Sequence, residues 1–212
     1  MDDQPDREDE DEDGGGVDPD QMLAALGGRI TAYTADIAPG QWVIGGWGQA
    51  GRAGGVLEVT RIEDPDEFHS EVEFTVCFFY RSPGGEWRDG PGSGSGFSEW
   101  PLPRPTANDE DVTLEHIAMG GMCGVWMAAV VGIASAAVAR LETEYAGTSQ
   151  PVEVAPSGLF VAPLTVVDVT QTLVLVAFDA QGQERSRHEV RLPLFDSFDA
   201  LLKWPDPGLW PD

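Results

Sequence analysis

Residues 117–139 read IAMGGMCGVWMAAVVGIASAAVA, 23 positions without a charge. A run of that length has three physical outlets: a helix across a bilayer, a helix inside a core, or strand covered by protein on both faces. Glycines at 120, 121, 124 and 132 weaken a helix in water, and the basic flank is a single residue, Arg140. The continuation favours strand. In 140–145, Leu141, Thr143 and Tyr145 alternate with Arg140, Glu142 and Glu144, the period of a strand with one wet face. We therefore expect a central strand over 124–133, a turn over 132–135 and a hairpin partner over 137–145. A buried or amphipathic helix and a single membrane span over 117–139 are the competing expectations.

The same logic extends to both sides. Residues 172–179 form an apolar run, Ala180-Gln181-Gly182-Gln183 a turn, and 184–194 a second run. The second run puts His188, Val190, Leu192 and Leu194 on one face, against Glu189 and Arg191 on the other. A hairpin follows, its first strand apolar on both sides. Upstream, strand patterns cover 30–37, 41–47, 56–62 and 71–81. In the last of these Val72, Phe74, Val76, Phe78 and Tyr80 oppose Glu71, Glu73, Thr75, Cys77 and Phe79. The sum is an all-β chain, an antiparallel sandwich or barrel of about eight to ten short strands. Its second half has the strand rhythm of immunoglobulin-like sheets but lacks the Cys…Trp…Cys signature.

Short peripheral helices are expected near 19–26 and 197–204. Asp18 caps the first and Gly27 ends it; Asp196 or Ser197 caps the second and Pro205 stops it. Residues 1–17 read as a disordered acidic tail and 18–212 as one β-rich domain. That domain divides into sub-halves, 18–81 and 112–212, joined by an irregular Gly/Pro-rich connection over 82–111, which includes GPGSGSG and WPLPRP.

Charge bounds the function. The chain has 37 acidic and 12 basic residues, a net charge of −25. Residues 1–20 alone hold eleven acids and one arginine, too much like charge and too little apolar surface to fold unaided. Ordinary nucleic-acid binding needs cations for the phosphates, so no direct nucleic-acid binding is expected; a basic protein partner suits this field better. The N-terminus shows neither a basic n-region nor an apolar h-region, and the two cysteines, Cys77 and Cys123, read as reduced thiols; the expected location is the cytoplasm.

Local chemistry is sparse. Gly46-Trp47-Gly48-Gln49-Ala50-Gly51 matches G-x-G-x-x-G, but a β pattern rather than a helix follows it, so it reads as a glycine-rich hairpin. Asp9, Asp11, Asp13 and Gly14 imitate half of a calcium loop, yet Gly16 and Asp20 break its pattern. His69, His116 and His188 are isolated, and neither cysteine lies in C-x-x-C. A dyad of Cys123 with His116 or His188 ranks below a plain hydrogen-bonded, partly buried His188. Asp168 and Asp179, which bound apolar strands, read as acceptors for turn amides. No catalytic residue, metal ligand or cofactor is assigned.

Seven tryptophans remain, and Trp42, Trp47, Trp87 and Trp100 gather in the glycine-rich first half. The candidate ligand or partner surface is Trp47, Trp87, Trp100, Arg104, Asp109 and Glu110, with core filling as the competing role of the aromatics. The leading expectation is a non-enzymatic interaction or accessory protein whose acidic surface meets a basic protein, an inhibitor or nucleic-acid mimic at the extreme. The alternative is a carbohydrate- or small-ligand-binding β domain.

Overall fold

The computed structural model describes residues 37–63, 71–82, 84–98, 106, 110–122, 125–167 and 170–192. Among these are eleven strands, one more than expected, and no helix. All pairings are antiparallel. The first sheet runs in chain order: β1 (Trp42–Ala50), β2 (Ala53–Arg61), β3 (Val72–Arg81) and β4 (Trp87–Ser98). The second places β6 (Val125–Ala134) between β5 (Val112–Met122) and β9 (Leu159–Thr165). The third has the order β11 (Glu184–Val190), β10 (Leu173–Phe178), β7 (Arg140–Tyr145), β8 (Thr148–Val152).

The second sheet lies between the other two, and this explains the uncharged run. Successive side chains of a strand point to opposite faces. On β6, Met127, Ala129, Val131 and Ile133 join Leu57, Val59, Phe74 and Val76 in one core. The intervening Ala128, Val130 and Ala134 join Leu141, Leu173 and Leu175 in another. β9 divides in the same way, with Leu159 and Val161 in the first core and Phe160, Ala162 and Leu164 in the second. A strand with two covered faces has no position for a charge. No helix among the described residues is long and apolar enough to cross a membrane. The competing reading of a membrane-spanning helix over 117–139 is not what forms: residues 117–122 are the end of β5 and 125–134 are β6, as the strand reading expects.

Two further corrections follow. β7 is not the hairpin partner of β6; it pairs with β8 and β10, and β6 pairs with β5 and β9. β7 has only one apolar face, Leu141, Thr143 and Tyr145, so it suits an outer layer. The chain crosses to that layer through the turn after Ser135, whose N–H donates to the Asp111 carbonyl. The connection over 82–111 is not irregular throughout, because 87–98 form β4, laddered to β3. Glycines lower its intrinsic strand preference, but they permit close approach. A Cβ on Gly90 would lie 2.7 Å from the Phe78 carbonyl, and one on Gly96 would lie 2.3 Å from the His116 ring.

The expected hairpin forms between β10 and β11, with Leu173 opposite Val190 and Leu175 opposite His188; its first strand lies in an outer sheet, where Val174 and Phe178 are half-buried rather than covered. Asp179 closes it, its Oδ1 accepting the Gln181 and Gln183 amides at 2.9 and 2.8 Å. The Gly46–Gly51 motif is likewise a hairpin. β1 turns into β2 through Gly51, at φ 61°, and Arg52. The helices expected at 19–26 and 197–204, the acidic tail, Asp168, His69, Leu194, Cys123 and all but the end of the strand at 30–37 lie outside the described residues.

The first sheet meets the middle one along both margins. On one side Gly48 faces β9 so closely that a Cβ there would lie 2.2 Å from the Val161 carbonyl oxygen. Pro163, which has no N–H to donate, sits on this edge strand. On the other side the Ser98 hydroxyl donates to Glu115 at 3.1 Å.

Candidate functional site

The outer face of the first sheet carries its own apolar group. Register places Trp42, Ile44 and Trp47 of β1 on that face, with Gly54 and Val56 of β2 and Cys77 and Phe79 of β3. Ile44, Val56 and Phe79 are buried there, and Trp47, Cys77 and Trp87 pack around them half-buried. Gly54 provides the floor. A Cβ on it would lie 2.9 Å from the rings of both Trp47 and Trp87. With no side chain in the way, those rings meet edge to face, centroids 5.9 Å apart at 74°. Phe79 flanks Trp47 at 6.3 Å.

Arg81, at the end of β3, lies 6.0 Å from the Trp87 ring and donates its Nε to the Gly85 carbonyl at 2.9 Å. Its position is thus fixed from two sides. Between this group and β8 runs a groove of about 390 Å³, lined by Trp47, Gln49 and Arg81 on one wall and Gln150, Pro151 and Glu153 on the other. Gly48 and Gly51 line it as well.

Of the six residues expected to form a surface, the fold brings Trp47 and Trp87 together. Glu110 is exposed just before β5 and does not line the groove. Trp100, Arg104 and Asp109 lie outside the described residues. Phe79, Arg81, Gln150 and Glu153 were missed. Phe79 carried a signal, a large aromatic on the otherwise polar side of the β3 alternation. Gln150 in β8 and Glu153 just after it carried none, because only tertiary folding brings them near β1.

A second polar constellation joins the middle and outer sheets. Asp111 accepts from Arg185 Nε at 2.7 Å with its side chain 12% exposed. His188 Nε2 meets Ser186 Oγ at 3.1 Å. Burial raises the Asp111 carboxyl, but hydrogen bonds from Arg185 and Ser186, with the charges of Arg185 and His188, outweigh it and hold the group below the usual aspartate range. The residue types suggest a Ser-His-Asp triad, but the connectivity does not: the serine stands between the acid and the imidazole, so the acid does not orient the base. The cluster is a pin. Elsewhere His116 lies against Gly96 with its Nε2 buried and unbonded, and burial lowers its pKa. The thiol of the dyad weighed for it, Cys123, lies outside the described residues.

No group of three or more potential metal ligands occurs among the described residues. No family model, curated protein or solved structure matches this chain.

Proposed function

We propose that the protein is a non-enzymatic interaction module whose acidic segments engage a basic protein partner. The observation that carries this reading is the partition of charge. The described β residues hold 15 acids and 8 arginines, net −7, leaving 22 acids and 4 basic residues, net −18, in the rest of the chain. Four of the eight arginines among the described residues pair with acids nearby. Arg140 pairs with Glu142, Arg187 with Glu144 and Glu184, Arg185 with Asp111, and Arg88 with Glu86. Most of the net charge, −18 of −25, therefore belongs to the rest of the chain, and such a field raises the on-rate of a cationic partner.

Binding to immobilised full-length chain, compared with a chain lacking residues 1–17, tests the reading. The expected result is salt-sensitive capture of basic proteins by the full chain, reduced by the deletion. Capture of no basic protein at low salt by either form overturns it.

A further inference from the structure

We infer that the groove between Trp47 and β8 is a binding site for a neutral saccharide, a role separate from the acidic segments. Four observations lead there. First, the volume of about 390 Å³ falls in the range of small-ligand clefts. Second, the aromatic wall is held in place before any ligand arrives. Trp47 is braced by Trp87 edge to face and by Phe79, and Gly54 is the one residue type that lets the rings seat. A fixed indole offers an apolar surface to the C–H face of a pyranose with little loss of side-chain entropy.

Third, the polar lining supplies both donors and acceptors. The two glutamine amides of Gln49 and Gln150 do both, the Arg81 guanidinium donates and the Glu153 carboxylate accepts. A sugar hydroxyl also donates and accepts, so such a lining matches vicinal hydroxyls better than it matches an ion. Fourth, the groove balances one cation against one anion. A phosphate or sulfate would meet Glu153, and an ammonium would meet Arg81. A neutral, hydroxyl-rich ligand avoids both penalties.

The test uses the full chain and four named probes: cellobiose, maltose, lactose and N,N′-diacetylchitobiose. Glucuronic acid and glucosamine serve as charged controls. Saturation-transfer NMR and tryptophan fluorescence report binding. The expected result is saturable binding of at least one neutral disaccharide in the millimolar range or tighter, weakened about tenfold or more by Trp47→Ala. Because Trp47→Ala also removes a packed ring, Gln150→Ala and Glu153→Gln on the opposite wall are measured in parallel, and each is expected to weaken the same probe with unchanged circular dichroism. No signal from any of the four at about 10 mM, binding of the charged controls alone, or binding unaffected by all three substitutions overturns the proposal.

Discussion

β6 and β7 are neighbours in the chain and lie in different physical environments. β6 has protein on both faces, so every described side chain from Met127 to Ala134 is buried. β7 has protein on one face, so Leu141, Thr143 and Tyr145 are buried while Arg140, Glu142 and Glu144 point outward. The outer face of the third sheet then satisfies itself. Arg187 bridges Glu144 and Glu184, Arg140 pairs with Glu142 and stacks 3.9 Å over Phe178, and the Ser149 hydroxyl donates to Glu142. The difference shows how the layers divide their tasks. The middle sheet supplies cohesion, the third sheet closes one side with paired charge, and the first sheet keeps an aromatic face beside an open groove.

If that division is right, the cost of a substitution falls from the middle layer outward. Phe160→Ala removes a fully buried ring between the middle and third sheets and is expected to destabilise by about 3–5 kcal/mol in chemical denaturation. Gly54→Ala acts on the outer face of the first sheet, where the new methyl has to part Trp47 from Trp87. A loss of about 1–3 kcal/mol is expected, with altered tryptophan emission; native stability and emission would break the account of that face.

The seams are probed by acid. The folded pKa of His116 is lowered by burial, so its contribution is present above the ordinary histidine range, about 6.5, and is lost as pH falls below it. Asp111, also lowered in the fold, adds stability above the ordinary aspartate range that is lost as pH falls through its reduced value. Stability should therefore decline in two stages on acidification. His116→Gln flattens the first and Asp111→Asn the second, the latter costing about 1 kcal/mol at neutral pH. The smallest effect lies at the rim of the third sheet. Ala146 is a non-glycine at positive φ, 49°, followed by Gly147 at 77° in the β7–β8 turn. Ala146→Gly should stabilise by about 0.5–1 kcal/mol in thermal unfolding.

Much of the fold was legible because patterning is local. The alternation in 71–81 and 140–145 fixed which side chains face inward, and the Gly182-centred turn fixed a hairpin. The uncharged run of 117–139 announced a doubly covered strand. Pairing partners were not legible, since β7 follows β6 in sequence yet belongs to another layer, a choice made by whole faces rather than by turn residues. β4 was hidden because Gly90, Gly92, Gly94 and Gly96 carry no strand signal; the close approach that Gly90 and Gly96 permit is revealed only by the partner strands. Of the candidate surface, the Trp47–Trp87 pair was visible as composition. The groove was not, because its opposite wall, Gln150 to Glu153, comes from far along the chain.

Two adjacent residues test whether the middle sheet is covered on both faces. Val130 faces the third sheet and Val131 the first, and both are fully buried. Val130→Asp and Val131→Asp each bury an unpaired carboxylate, on opposite sides of one strand. Equilibrium unfolding of the two variants is the direct measurement. Both are expected to lose cooperative folding at neutral pH to a similar degree; near-native stability in either one would mean that its face is open to water and the sheet is not doubly covered.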